Sequence, residues 1–127
     1  MDRVNTRYGV FEIMSPEDLI SKALIKYGEW SQIEINALLR FIRLGDVVID
    51  AGAYIGTHTI AFSKRVGEKG KVYAFEPNPK AFEILKKNCE RNNCENVILM
   101  PYALGEKEEA VYLIVEKQEN IGSGYTS

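Results

Sequence analysis

Two carboxylate residues each stand at the end of a short apolar run. Asp50 follows residues 47–49, and Glu76 follows residues 72–75. A turn and then a helical pattern follow each carboxylate, which is the succession typical of a β-α-β unit. Because ligands of open α/β sheets bind outside the carboxyl ends of the strands, we expect both side chains to face one site. An acidic residue after the second strand can accept hydrogen bonds from ribose hydroxyls, so the pattern indicates a nucleoside ligand.

Two glycines narrow the choice of nucleoside. Gly52 and Gly56 follow the first carboxylate in a G-x-x-x-G spacing. The small side chain of Ala53 likewise leaves room for a ligand beside this loop. Without a Cβ, glycine lets the backbone turn sharply after the strand and approach a ligand closely. A dinucleotide site would use G-x-G-x-x-G and a triphosphate site would add a lysine, and neither pattern is present here. S-adenosylmethionine fits better, with its ribose on Glu76 and its sulfonium and amino-acid end above Asp50.

The composition excludes several classes of function. Sixteen basic and 18 acidic residues among 127 leave a net charge of -2. The sequence therefore has no excess of positive charge that would favour binding to nucleic acid or to an anionic membrane. The sequence starts without an apolar signal region and has no run of about 18 apolar residues, so we expect a cytoplasmic protein. His58 is the sole histidine, and Cys89 and Cys94 do not match a zinc or redox spacing. We therefore expect metal-free chemistry and reduced structural thiols.

Residues 1–44 are interpreted as an extended segment and helices that pack on the domain. An extended piece or hairpin arm is expected near residues 8–14, and Ser15 offers the N-cap of a helix that ends near Gly28. Ser31 and Glu34 form a capping-box pattern before a second amphipathic helix. Glu34 could instead approach the methionine end of the cofactor, but the capping box already accounts for it.

Residues 45–127 are interpreted as an α/β cofactor-binding half-domain. The strand patterns cover residues 47–50, 71–76, 97–101 and 110–116, and the helical patterns cover about 57–65 and 79–91. The first strand lacks polar alternation, which is typical of a parallel strand covered on both faces. The predicted fold is a mostly parallel sheet with helices on both faces, corresponding to the first half of a doubly wound sheet.

Five stretches of the sequence together resemble one known family. They are Gly28-Glu29-Trp30, Glu34, residues 45–59, residues 72–78 and Ala103-Leu104-Gly105. Over about residues 8–124 the chain resembles the FkbM family of S-adenosylmethionine-dependent methyltransferases. The resemblance implies a Rossmann-like methyltransferase fold and O-methylation of a hydroxyl on a sugar or secondary metabolite. The expected partner is therefore a small-molecule or glycan acceptor, with no nucleic acid and no membrane.

The resemblance also implies where the cofactor lies. Glu76 is expected to hold the ribose, and Tyr102 and Ala103 to flank the adenine. The expected cofactor-binding residues in full are Asp50, Gly52, Ala53, Tyr54, Gly56, His58, Glu76, Pro77, Tyr102 and Ala103. We interpret His58 as packing in the cofactor loop rather than as a general base. Trp30 could line an acceptor pocket, although large aromatic residues usually pack in cores or rims.

The sequence departs from the family pattern after its third strand. The pattern continues with further strands and an acidic segment, K-x-D-x-E-G-x-E, that this sequence does not reach. We therefore expect the first half of a methyltransferase sheet and assign no catalytic residue. One alternative is a cofactor-binding half-domain, or a fragment of a longer protein, that performs no chemistry. A nicotinamide-dependent oxidoreductase half is disfavoured by the glycine spacing.

In the usual methyltransferase strand order, residues 47–50 would have a neighbour on one side only. An unpaired apolar strand is a site of self-association and aggregation. We therefore expect a homo-oligomer, an aggregating chain, or a chain that pairs its own residues 110–116 with this strand.

Overall fold

The computed structural model describes residues 3–104 and 113–116. Its helices and strands are, in chain order, β1 (Arg3–Thr6), β2 (Gly9–Glu12), α1 (Leu19–Tyr27), α2 (Gln32–Leu39), β3 (Val47–Ala51), α3 (Thr57–Val66), β4 (Lys71–Phe75), α4 (Pro79–Arg91), β5 (Val97–Met100) and β6 (Leu113–Glu116). β1 and β2 form an antiparallel hairpin, and the other four strands form one sheet in the order β5-β4-β3-β6. The pairs β3-β4 and β4-β5 are parallel. The expected Rossmann-like α/β fold is confirmed.

The first helix starts later than the sequence pattern predicts. Asp18, not Ser15, is the N-cap of α1, and its carboxylate accepts a hydrogen bond from the backbone N–H of Ser21 at 3.0 Å. Ser15 instead accepts from the N–H of Glu17 in the preceding turn, at 3.2 Å. The predicted end is confirmed, because Gly28 closes the helix with a left-handed φ of 74°.

The capping box predicted for α2 is wrong. Ser31 has a left-handed backbone, with φ 57° and ψ 38°, and its side chain makes no capping hydrogen bond. A capping residue normally has an extended backbone that turns its oxygen toward the first N–H groups, and this backbone does not. The Ser31 hydroxyl instead donates to the Glu34 carboxylate at 3.3 Å.

The strand predicted to be a bare edge has partners on both sides. Val48 of β3 lies opposite Val72 of β4 on one side and opposite Val115 of β6 on the other. β6 runs antiparallel to β3, so the third expected alternative, recruitment of the chain's own later strand, is the one observed. The basis for expecting a homo-oligomer through an exposed β3 edge is therefore wrong.

One apolar cluster joins the N-terminal hairpin to the sheet. Phe11 of β2 and Leu85 of α4 are both fully buried in it, together with Ile55 from the loop after β3. The buried Asn88 side chain accepts from the N–H of Glu12 at 2.7 Å and donates to the carbonyl oxygens of Glu12 and Ile55 at 3.1 and 2.9 Å. A single amide thus connects the hairpin, the loop and α4. The predicted division of the chain at residue 44 stays a prediction.

Helix α4 ends in a Schellman motif that contains both cysteines. The N–H of Cys94 donates to the carbonyl of Cys89 at 2.9 Å, and the N–H of Asn93, which has a φ of 57°, donates to that of Glu90 at 3.2 Å. Both thiols are free and buried, and they occupy the positions where this motif usually places an apolar contact. Throughout the described ranges, no helix combines the length and the apolar character needed to cross a membrane.

Candidate functional site

The loop after β3 is held tightly against the end of β4. The N–H groups of Gly52 and Ala53 both donate to the carbonyl of Phe75 at 2.9 Å. Left-handed φ values of 76°, 54° and 109° at Gly52, Tyr54 and Gly56 make the sharp turns that the sequence predicted. The glycines differ in what they approach, since Gly52 is exposed whereas a Cβ on Gly56 would lie 3.1 Å from the Leu85 side chain. The close approach at Gly56 is therefore to the core.

Glu76 lies immediately after β4 with its carboxylate held in place by two backbone groups. One oxygen accepts from the N–H of Tyr54 at 2.7 Å, and the other accepts from the N–H of Asn78 at 2.9 Å. The residue is only 6% exposed. Each carboxylate oxygen can accept more than one hydrogen bond, so both remain able to accept from a ligand hydroxyl. This arrangement suits a pair of neighbouring hydroxyl groups such as those of ribose.

Asp50, near the end of β3, is a buried carboxylate. Its side chain accepts a hydrogen bond from the Thr59 hydroxyl at 2.7 Å, and the residue is 2% exposed. Burial raises the pKa of Asp50 to about 6, the Thr59 hydrogen bond and His58 oppose that rise, and the negative charges of Glu76 and Glu34 add to it. Ionised Asp50 is therefore costly without a nearby cation, and a cationic ligand would stabilise it.

A cavity of about 220 Å³ lies beside the loop. Its lining residues come from β3, the loop after it, the start of α3 and the N-terminal helical segment. They are Ile20, Trp30, Ser31, Glu34, Asp50, Gly52, Ala53, Tyr54, Thr57 and His58. Burial raises the pKa of Tyr54, and the nearby Asp18 carboxylate at the start of α1 raises it further. In the described part of the chain, no cluster of three or more His, Cys, Asp and Glu side chains could hold a metal ion.

His58 at the start of α3 contacts Glu34 of α2 across the cavity. Its Nε2 lies 2.7 Å from the Glu34 carboxylate, and its Nδ1 lies 3.4 Å from the Thr57 hydroxyl. The side chain of His58 is 15% exposed and that of Glu34 is 54% exposed. Sequence analysis missed this pair, because the local capping pattern accounted for Glu34 and no local signal connects it to a residue on another helix.

The predicted site residues fall into two groups in the structure. Five line the cavity, namely Asp50, Gly52, Ala53, Tyr54 and His58. Glu76 adjoins it through Tyr54, and Pro77 follows as a half-buried residue. Tyr102 is 52% exposed and its ring meets that of Phe75 edge-on at 5.8 Å. Ala103 is half-buried beside it. These positions are compatible with the predicted roles, which stay predictions.

The fold and the cavity define a class, the Rossmann-like methyltransferase domain. A SAM-dependent O-methyltransferase from Thermotoga maritima superimposes with a TM-score of 0.57 at 18% identity, covering 84% of this chain and 51% of its own. TYW2 from M. jannaschii, solved in complex with AdoMet, superimposes with a TM-score of 0.53 at 31% identity, covering 65% and 37%. The Thermotoga maritima protein therefore resembles this chain in fold, and TYW2 resembles it in both fold and sequence.

The family follows from the sequence match. The model of the TRM5/TYW2 methyltransferase domain matches residues 19–116, so the chain belongs to this family. A curated relative from Sulfurisphaera tokodaii, named probable cobalt-precorrin-6B C(15)-methyltransferase (decarboxylating), is 40% identical over 67 residues. The match covers 53% of this chain and 33% of the relative, so this chain spans a minor part of that protein's length. Membership of the FkbM family stays a prediction.

Proposed function

We propose that the site binds S-adenosylmethionine and that the protein is a methyltransferase that uses it. The observation that carries the proposal is the Glu76 carboxylate, fixed by two backbone N–H groups at the end of β4. In the proposed complex Glu76 accepts from both ribose hydroxyls, and the cationic end of the cofactor lies over Asp50. Pro77, Tyr102 and Ala103 are assigned to the adenine side. Gly52, exposed in the loop, allows the cofactor to lie close to the backbone.

The proposed reaction is an in-line displacement. An acceptor oxygen attacks the sulfonium methyl group, a carbon–oxygen bond forms, the carbon–sulfur bond breaks, and S-adenosylhomocysteine leaves. The acceptor hydroxyl loses its proton to a base that we do not assign. The rate is expected to come from positioning of the two reactants and from exclusion of water.

The acceptor is proposed from the resemblance noted in the sequence. The FkbM pattern favours a hydroxyl on a sugar or secondary metabolite. Family membership supports a second candidate, methylation of a tRNA base, since relatives of this domain include a tRNA (guanine(37)-N(1))-methyltransferase from Methanocaldococcus jannaschii. The net charge of -2 argues against tRNA binding by this chain alone. A half-domain that binds the cofactor without catalysis is a further alternative, and cytoplasmic location stays a prediction.

Cofactor binding is tested first. Calorimetric titration with S-adenosylhomocysteine should give saturable binding, and titration with NAD should give none. Binding of NAD without binding of S-adenosylhomocysteine would overturn the proposal in favour of an oxidoreductase. Radiolabelled methyl transfer is then measured with a panel of sugars and, separately, with unmodified tRNA. Label in the sugar fraction supports the first acceptor class, and label in tRNA supports the second.

A further inference from the structure

The N-terminal helical segment contributes a charged group to the candidate cofactor site. We infer that Glu34, held in place by His58, binds the α-ammonium group at the amino-acid end of the cofactor. The inference rests on the proposed function, because it presumes that this ligand occupies the cavity. It assigns to Glu34 of α2 the role that the sequence left as an alternative to the capping box, and it gives His58 the task of positioning that carboxylate.

Glu34 reaches the cavity from a helix outside the loop. Its carboxylate lines the same cavity as Asp50 and the loop, yet it belongs to a helix that precedes β3 in the chain. Its side chain is 54% exposed and would sample several rotamers if it had no partner. The contact of 2.7 Å between His58 Nε2 and Glu34 Oε1, supported by the longer contact of 3.3 Å from the Ser31 hydroxyl to the same oxygen, selects one of them. A neutral His58 that donates from Nε2 satisfies one oxygen of Glu34 and leaves the other able to accept from a ligand.

The charge around the cavity is mainly negative. Glu34 and Glu76 both act on Asp50 with the same sign, and both raise the pKa of Asp50. Of the cavity-lining side chains, only His58 is able to carry a positive charge, so acidic groups predominate there. Such a site favours a ligand with a concentrated positive charge. The amino-acid end of S-adenosylmethionine carries an ammonium group and a neighbouring sulfonium, so it supplies that charge at two points.

The alternative role for the pair is purely structural, as a contact that holds α2 against α3. The two roles differ in what they predict for ligands that lack the amino-acid end. A structural pair would affect every ligand of the cavity in parallel through the fold. A binding residue would affect only ligands that carry the ammonium group. His58, as a positioning residue, should follow Glu34 in this selectivity.

The test compares two ligands by calorimetry. S-adenosylhomocysteine carries the amino-acid end, whereas 5′-methylthioadenosine shares the adenosine and thioether but lacks it. Glu34→Gln should weaken binding of S-adenosylhomocysteine by about tenfold or more, the effect expected of a lost hydrogen bond to a charged group, and leave methylthioadenosine binding unchanged. Glu29→Gln is the matched control, because Glu29 lies in the same segment and pairs with Arg7 at 2.9 Å. It should change neither affinity.

The positioning role is tested in the same assay. His58→Phe should reproduce the selective loss, and His58→Gln, which keeps an N–H donor, should restore part of it. Equal losses for both ligands in Glu34→Gln, or no loss for either, would overturn the inference while leaving cofactor binding by the wild type intact. A wild-type protein that binds neither ligand would instead overturn the proposed function, and the inference with it.

Discussion

Replacement of Asp50 by asparagine should stabilise the ligand-free protein above pH 6. Burial raises the pKa of Asp50 from 3.8 to about 6, so the folded state binds this proton more tightly than the unfolded chain does. The associated stability is complete below pH 4 and is lost as the pH rises through 6. A shift of about two units, at about 1.4 kcal/mol each, corresponds to about 3 kcal/mol at pH 8. Asparagine is neutral throughout and can still accept from Thr59.

Urea unfolding of the wild type and Asp50→Asn, at intervals from pH 4 to pH 8, measures this difference directly. The two free energies of unfolding should be similar at pH 4 and diverge to about 3 kcal/mol at pH 8, or roughly 10 °C in melting temperature. Thr59→Val removes the hydrogen bond that favours ionised Asp50, so it should raise the pKa of Asp50 further. In the Thr59→Val background, Asp50→Asn should therefore stabilise the protein by more than it does in the wild type, and the difference should level off at a higher pH. Asp50→Asn should also weaken binding of S-adenosylmethionine, because the cationic end of the cofactor loses the negative charge of Asp50.

A constant difference between wild type and Asp50→Asn from pH 4 to pH 8 would refute this reasoning. It would show that Asp50 ionises in the folded state as readily as in the unfolded chain. The buried carboxylate would then need no cation, and the electrostatic argument for the ligand would fail with it.

Four further variants test other parts of the structure. Glu76→Ala should weaken S-adenosylhomocysteine binding by about 1.5–3 kcal/mol, and an unchanged dissociation constant in calorimetry would exclude the ribose contact. Gly52→Val should reduce binding more than stability, and normal binding with a collapsed melting temperature would make this glycine structural. Asn88→Leu leaves buried N–H and C=O groups without partners, so urea unfolding should show a loss of about 3 kcal/mol or more, and a neutral result would contradict its linking role. The fourth variant carries Ile114→Pro and Val115→Pro in β6. Neighbouring N–H groups of a strand point to opposite sides, so one of the two prolines removes an N–H that faces β3. Amide exchange in β3 should then accelerate and light scattering should show association, whereas unchanged exchange would mean that β6 gives no protection.

The strand ends and their carboxylates could be predicted because they rest on local patterns. Asp50 and Glu76 each end an apolar run, and parallel pairing of β3 with β4 brings those ends to one edge of the sheet. The end of α1 at Gly28 was predictable for a similar reason, since a left-handed residue there favours glycine.

The features that sequence analysis missed depend on contacts between distant segments. The Ser31 and Glu34 spacing matches a capping box, but the left-handed backbone of Ser31 turns its hydroxyl away from the helix N–H groups. Glu34 instead meets His58, which is distant in sequence and lies on another helix. The start of α1 was misplaced because Ser15 and Asp18 are both good capping residues, and only the packing of the preceding turn selects between them.

The pairing of β6 with β3 has a consequence for synthesis on the ribosome. β3 ends at Ala51 and its first neighbour, β4, begins at Lys71, but its second neighbour is β6 at residues 113–116. Until residue 116 has left the ribosomal exit tunnel, one side of β3 has no β6 to pair with. Contacts between segments this far apart in sequence form slowly, because a long loop must close first. The nascent chain therefore passes through an interval in which one edge of this apolar strand is open to chaperones and to other chains.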